Sequence, residues 1–303
     1  MSNTSYHVPV LLQESVDLLV NDINGVYVDA TFGGGGHSRE VLSRLGDGGR
    51  LISFDRDEDA QANAIDDPRF TLVPSDFRFM QNHLRFLGHR KVNGILADLG
   101  VSSHQFDVPE RGFSIRGEGK LDMRMGKATE LTAKKVINAY DEAELTRVLK
   151  EFGELGNSRK IATTIIAERL DQKFQTTEQL VKAIEKLFPP AKRMQNLAKV
   201  FQAIRIEVND EMGSLFAMLN QSAEVIAPGG KLVVISYHSL EDRPVKRFMR
   251  AGNLEGKVEK DFFGNPQRPF RPSAGMPIIP SEEEIKENSR ARSAKLRVAT
   301  RNE

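Results

Sequence analysis

The chain contains no cysteine among its 303 residues. That absence excludes disulfide bonds, thiolate metal sites and cysteine nucleophiles together. The sequence also has no apolar run of the roughly 18 residues that a transmembrane helix needs. Its first seven residues, Met1–His7, lack the basic start and the apolar stretch of a signal peptide. Together these absences predict a cytoplasmic protein.

Neither sign of charge is in marked excess, since the sequence has 43 Lys and Arg residues and 42 Asp and Glu residues. A charged fraction of 28% and a hydrophobic fraction of 39% are typical of a globular protein. The basic residues nevertheless cluster towards the C-terminus. Charge alone leaves open whether the cluster is a phosphate-binding surface or a set of solvated helix faces. Its members are Arg243, Lys246, Arg247, Arg250, Arg268, Arg271, Arg290, Arg292, Lys295, Arg297 and Arg301.

Short apolar runs of the strand type alternate with helical or turn segments in the first third of the chain. This rhythm predicts an α/β fold with a doubly wound parallel sheet. The predicted strands are Val26–Ala30, Leu51–Phe54, Phe70–Val73, Gly94–Ala97 and Lys231–Ile235.

The alternation stops after the fourth predicted strand. About 100 residues follow before the fifth, whereas an ordinary crossover needs only a dozen or more. This stretch has helical periodicity, and Thr176 and Gln179 have the spacing of a helix-capping start. We therefore predict a sheet domain in two parts, residues 1–103 and 209–303, interrupted by an inserted helical subdomain at residues 104–208.

Four consecutive glycines, Gly33–Gly36, follow the first predicted strand and precede a segment of helical spacing. Glycines there permit positive φ and close approach of a ligand, and the helix start offers free N–H groups. The second strand ends in Asp55, whose carboxylate can accept both hydroxyls of a ribose. The pattern predicts a nucleotide-type cofactor site.

Three details favour S-adenosylmethionine over a nicotinamide dinucleotide. Asp29 stands four positions before the first glycine, where it can meet an ammonium group but would repel a pyrophosphate. Asp98 ends the fourth strand, at the sheet edge where α/β proteins bind ligands. The turn Pro228–Gly230 leads into a strand that ends in Ser236–His238, an arrangement typical of class I methyltransferases.

A set of short motifs then makes a resemblance specific. The motifs are His7–Leu12, Asp29–Ser38, Phe54–Asp57, Asp98–Ser103, Glu110–Ser114, Leu121–Met125, Phe201–Arg205, Ser236–Arg243 and Arg290–Arg297. Through them the chain resembles, from residue 6 to about residue 299, the MraW family of bacterial ribosomal RNA methyltransferases. One departure is Tyr237, where phenylalanine is common in the family.

The resemblance implies a class I, Rossmann-like methyltransferase sheet whose helical insert recognises the substrate. It implies methylation of the exocyclic N4 of a cytosine in small-subunit (16S) ribosomal RNA, near the decoding centre, with S-adenosylmethionine as methyl donor. The expected partner is that RNA within the small ribosomal subunit, for a monomer or homodimer that contacts no membrane. The six histidines lack ligand spacing, so we expect no metal site.

The resemblance also assigns the site residues. The donor is held by Gly35, Gly36, His37, Asp55, Phe77, Asp98 and Gln105. From the residues alone, Phe77 is more simply a core aromatic. Asp98 is the first candidate for a catalytic hydrogen-bond acceptor, although a role towards the donor is equally open. His238 is the second catalytic candidate, and its alternative is a position at the N-cap of a helix.

Three other interpretations stay open from the sequence. One is a nicotinamide-dependent oxidoreductase. Another is a catalytically silent RNA-binding or assembly factor that retains a donor fold. The third keeps methyl transfer but changes the acceptor to DNA or to a protein side chain.

Overall fold

A computed structural model describes residues 9–303, so the motif residue His7 lies outside the described part. The chain folds as two compact units. Of the described residues, one unit comprises 9–100 and Met212–Glu303, and the other Val101–Glu211. The predicted role of the helical part in substrate recognition stays a prediction.

The strands are Val26–Asp29 (β1), Arg50–Phe54 (β2), Phe70–Val73 (β3), Val92–Asp98 (β4), Ile226–Ser236 (β5), Glu259–Lys260 (β6), Pro266–Gln267 (β7), Phe270–Pro272 (β8) and Lys295–Arg301 (β9). Seven of them form one sheet in the order β3-β2-β1-β4-β5-β9-β8, while β6 and β7 pair as a separate ribbon. Strands β1 to β5 are parallel, which confirms the predicted α/β class.

The α-helices are Leu12–Leu19 (α1), Gly36–Arg44 (α2), Met80–Phe86 (α3), Ser103–Asp107 (α4), Ala133–Ala139 (α5), Glu142–Glu151 (α6), Ser158–Asp171 (α7), Thr177–Ile184 (α8), Arg193–Asn209 (α9), Glu211–Val225 (α10), Ser239–Ala251 (α11) and Glu282–Glu287 (α12). Within residues 9–303, no helix has both the length and the apolar character needed to cross a bilayer.

Both faces of the sheet are covered, which is why its inner strands are nearly continuous apolar runs. In β1, Tyr27 packs into the cluster on one face and its neighbour Val28 into the cluster on the other. Both side chains are fully buried. This two-sided burial made the five parallel strands recognisable from composition.

The order of the strands creates the crevice that holds the candidate site. The chain runs outward from β1 through β2 to β3, then returns to the other side of β1 to form β4. Such a reversal of strand order leaves an opening at the carboxyl ends of the two central strands. Asp29 and Asp98 are the last residues of β1 and β4, so both lie at that opening.

Strand β9 was not predicted from the sequence. It lies antiparallel between β5 and β8, with Val233 opposite Val298. The basic residues of this segment had indicated a phosphate-binding surface or a solvated helix face. Neither interpretation holds for Arg297, which is buried. Its guanidinium donates hydrogen bonds to both carboxylate oxygens of Asp242.

The helical unit has a core of its own, built from the apolar faces of α5 to α9. The predicted capping start is confirmed, because Thr176 and Gln179 form a reciprocal capping box at the start of α8. Of the basic side chains in this unit, Arg124 pairs with Asp122 and Arg205 with Glu211. Their charges are thus largely compensated within the fold.

Candidate functional site

The glycine turn joins β1 to α2 and is shaped by its own packing. Gly35 takes the left-handed conformation, with φ of 75°, and is the N-cap of α2. A Cβ on Gly36 would lie 2.2 Å from Cγ of Pro9. The sequence had suggested that these glycines make room for a ligand, but at Gly36 the space is filled by the protein itself. Substitution there would displace the segment before α1.

Asp29 is buried beneath this turn and accepts hydrogen bonds from hydroxyl and amide donors on both carboxylate oxygens. Its Oδ2 accepts a 2.6 Å hydrogen bond from Ser38, whose Oγ is 2.8 Å from Oγ of Ser53. Its Oδ1 accepts the backbone N–H of Thr31 at 3.0 Å. Burial nevertheless raises the pKa of Asp29 above its usual value. The carboxylate therefore carries charge at a cost that hydrogen bonds only partly offset.

Asp55 follows β2 and closes the other side of the turn. Its Oδ2 accepts the N–H of Gly33 at 2.7 Å, and its Oδ1 accepts the N–H of Asp57 at 2.8 Å. Burial raises the pKa of Asp55 to about 6 despite these bonds. An ionised carboxylate has about four acceptor positions, so this one retains capacity for two hydroxyl donors. This is the capacity that binding of a ribose diol requires.

Asp98 lies between three elements. Its N–H donates to Oγ1 of Thr31 at 2.7 Å, and its Oδ1 accepts the hydroxyl of Tyr237 at 2.8 Å. Its Oδ2 is 3.9 Å from Nδ1 of His37 in the first turn of α2. Burial raises the pKa of Asp98 to about 6, although His37 and Tyr237 act to lower it.

Negative charge that is only partly offset is the common property of this site: His37 acts on Asp29 and Asp98, and Arg56 on Asp55, yet burial leaves all three pKa values raised. Among residues 9–303, no Lys or Arg side chain forms an ion pair with Asp29, Asp55 or Asp98. Three partly or fully buried carboxylates with raised pKa values and no ion pair to Lys or Arg favour a positively charged ligand. S-adenosylmethionine brings a sulfonium and an ammonium group and fits this environment. A dinucleotide would add a pyrophosphate, so the nicotinamide alternative does not fit.

Phe77 follows the end of β3 by four residues. It opens a short 3₁₀ turn, Phe77–Phe79, and is only partly buried against the core. The preceding Asp76 is bonded to Arg56 and to Ser214, so its carboxylate is occupied by the protein. Phe77 is thus only partly exposed, and its contact with adenine stays a prediction.

Gln105 belongs to the helical unit. Its Oε1 accepts the N–H of Ser102 at 3.1 Å in a capping box at the start of α4. Gln105 is buried. This capping interaction lies within the protein and does not require bound S-adenosylmethionine. Its assignment to donor binding stays a prediction.

His238 is the N-cap residue of α11, which is the position expected if it has no catalytic role. Its side chain makes no capping hydrogen bond. Its Nε2 is 3.1 Å from Oε1 of Glu241. Neither ring nitrogen has a hydrogen bond of good geometry within the described part of the chain. The catalytic role predicted for His238 stays a prediction.

Comparison with known proteins shows the family of the chain. The model of the MraW methylase family matches residues 4–302. The chain belongs to the MraW methylase family. This confirms the family that the motifs predicted.

Two similar relatives are both called "Ribosomal RNA small subunit methyltransferase H". The protein from Bacteroides fragilis strain YCH46 is 56% identical over 296 residues, which cover 98% of this chain and 97% of the relative. The protein from Flavobacterium johnsoniae is 54% identical over 294 residues, covering 97% of each chain. A solved methyltransferase homologue from Pyrococcus horikoshii matches with a TM-score of 0.43 and 13% identity, covering 100% of this chain and 72% of that one. At that score it adds nothing to the fold described above.

Sequence reasoning missed the hydroxyl groups of the site. These groups form hydrogen bonds with two of the aspartates. Ser38 donates to Asp29, Tyr237 donates to Asp98, and Oγ1 of Thr31 accepts the backbone N–H of Asp98. All three stand inside the quoted motifs, and that position was the available signal. Their roles depend on which side chains the sheet brings together, and the spacing along the chain does not show this.

Proposed function

We propose that this member of the MraW methylase family transfers a methyl group from S-adenosylmethionine to the exocyclic N4 of a cytosine in small-subunit ribosomal RNA, near the decoding centre. The observation that carries the proposal is the group of three carboxylates around the switch point of the sheet, whose pKa values stay raised by burial and which form no ion pair with Lys or Arg within residues 9–303. The names of the Bacteroides and Flavobacterium relatives support the RNA substrate.

We assign each part of S-adenosylmethionine to a different set of residues. Gly35, Gly36 and His37 form the start of α2 beside the donor, Asp55 accepts the ribose hydroxyls, and Phe77 flanks the adenine. Asp29 and Asp98 supply the negative potential that favours the cationic methionine end. When bound, the donor supplies a methyl group on positive sulfur, so its leaving group is a neutral sulfide.

Asp98 is also the proposed hydrogen-bond acceptor for the N4 amine of the target cytosine. The N4 amine of cytosine is a weak nucleophile because its lone pair is delocalised into the ring. As N4 forms its new bond it becomes more acidic, and a fixed carboxylate that accepts its N–H lowers the barrier. The target base must leave its stack to reach this edge of the sheet.

The direct test is methyl transfer from labelled S-adenosylmethionine to small ribosomal subunits from cells that lack this protein, followed by nucleoside analysis. We expect N4-methylcytidine at one position. Label on another base, or on protein, would contradict the assigned acceptor. Failure to bind the donor would overturn the proposal as a whole.

Replacement of Asp55 by alanine should weaken donor binding by roughly 1.5–3 kcal/mol, the value typical of hydrogen bonds to a charged group. Isothermal titration calorimetry with S-adenosylmethionine measures this loss. Asp66→Ala is the matched control, because Asp66 is an exposed acid of the same unit between β2 and β3. Equal affinity of Asp55→Ala and wild type would remove Asp55 from the donor site.

The cellular and structural context extends the proposal. We propose a cytoplasmic enzyme, monomeric or homodimeric, that acts on RNA within the small subunit, with residues 104–208 contributing substrate recognition. Arg116 and Lys192 of the helical unit are exposed and suited to phosphate contacts.

A further inference from the structure

The hydroxyl of Tyr237 is placed to act on Asp98. Tyr237 directly follows β5, the neighbour of β4, and its Oη is 2.8 Å from Oδ1 of Asp98. Its backbone N–H donates to Oε2 of Glu241 at 2.9 Å, which fixes the start of the turn. Burial, together with the adjacent Asp98, raises the pKa of Tyr237, so the phenol stays a hydrogen-bond donor at any working pH.

The groups that face Asp98 come from each element around it. His37 approaches from α2, Asp29 from β1, and Tyr237 and Glu241 from the region after β5. His37 lies with Nε2 3.2 Å from the carbonyl of Val10 and with Nδ1 3.9 Å from Oδ2 of Asp98, beyond hydrogen-bond distance. Tyr237 is therefore the neutral donor that fixes one carboxylate oxygen of Asp98.

We propose that Tyr237 is a positioning residue for methyl transfer: by binding Oδ1 of Asp98 it orients the carboxylate and leaves Oδ2 to accept the proton of the reacting amine. The proposal rests on the function proposed above. In the step itself, the N4–methyl bond forms as the sulfur–methyl bond breaks, with the electron pair returning to sulfur. The proton lost from N4 passes to Oδ2 and then to solvent.

The same hydrogen bond stabilises the charged form of Asp98. Tyr237 and His37 oppose the effects of burial, Asp29 and Glu241, which together raise the pKa of Asp98 to about 6. Removing the hydroxyl must raise that pKa further, because a donor to the ionised form is lost. The ionised fraction near pH 6 then falls, while at high pH it is unchanged.

The test is Tyr237→Phe, which removes the oxygen and keeps the ring. We expect the acid limb of the kcat profile to move up by about one pH unit. The carboxyl carbon of Asp98, followed by 13C NMR in the donor-free protein and assigned with Asp98→Asn, should titrate at a correspondingly higher pH. Affinity for S-adenosylmethionine at pH 8.5 should change by less than about twofold, since Asp98 is ionised in both proteins there.

Tyr140→Phe is the matched control. Tyr140 also donates a hydrogen bond to a carboxylate, Oε1 of Glu207 at 2.9 Å, but in the helical unit. It should move neither the acid limb nor the Asp98 titration. If Tyr237→Phe leaves both where they are in wild type, the inference is wrong. If wild type methylates no RNA, the proposed function fails, and the NMR titration still decides whether Tyr237 controls Asp98.

Discussion

Asp98→Ala is expected to lower kcat for RNA methylation by about 10²- to 10⁴-fold, the range associated with loss of a positioned general base. The carboxylate it removes lies at the switch point of the sheet, held by the hydroxyl of Tyr237 and facing His37. The two acidic groups that act on it are engaged by other partners, Asp29 by Ser38 and Thr31 and Glu241 by the N–H of Tyr237. We expect no neighbouring side chain to replace it.

The same substitution should not destabilise the protein above pH 6. The pKa of Asp98 is raised to about 6 in the fold, above the value of roughly 3.9 for an unfolded chain. The folded state therefore binds this proton more tightly, and stability falls as pH rises from about 4 to 6. Removing the group removes that cost, so the midpoint of thermal unfolding at pH 8 should stay equal or rise.

The measurement is single-turnover methyl transfer with saturating donor, together with thermal unfolding of the same samples. Asp98→Asn keeps the shape of the side chain and should lose most of the activity as well. Asp66→Asn, at an exposed acid of the same unit, should retain it. Full turnover by a folded Asp98→Ala protein would show that Asp98 is not the acceptor.

The parallel half of the fold was predictable because local and global signals agree there. Strands β1 to β5 are apolar runs since both faces of the sheet are covered, and Asp29, Asp55 and Asp98 end or follow strands as the motif pattern predicted. Their position at one edge follows from parallel pairing alone. That much of the candidate site needs no knowledge of tertiary contacts.

The remaining features depend on contacts between distant segments. The need for glycine at position 36 comes from Pro9, and the hydroxyl of Tyr237 matters only because β5 lies beside β4. Strand β9 looked polar because Arg297 and Lys295 interrupt it. Its true environment depends on Asp242, more than fifty residues earlier. No periodicity within the segment shows such a partner.

Arg297→Ala should lower the free energy of unfolding by about 3–5 kcal/mol, as expected when one partner of a buried ion pair is removed. Nε of Arg297 lies 2.6 Å from Oδ1 of Asp242, and Nη2 lies 3.1 Å from Oδ2. Both side chains are nearly nine-tenths buried. The pair joins β9 to the first turn of α11, so its loss leaves a buried carboxylate whose remaining cation, Lys295, is 3.8 Å away and half-exposed.

The pH dependence gives this prediction a second test. Burial alone would raise the pKa of Asp242, but the Arg297 guanidinium holds it below its usual value. A depressed pKa contributes stability above the unfolded value of about 3.9, and this is lost as pH falls through the folded value. The difference between Arg297→Ala and wild type in urea unfolding should therefore be largest near pH 7 and shrink below about pH 4.

Two controls separate the ion pair from general loss of basic charge. Arg292→Ala removes an exposed arginine from the same basic cluster and should cost less than about 0.5 kcal/mol. The double variant Arg297→Met with Asp242→Leu should be more stable than Arg297→Ala, because it leaves no uncompensated charge. If Arg297→Ala and Arg292→Ala lose equal stability, the arginine serves only as surface charge, and the structural role assigned to this end of the cluster fails.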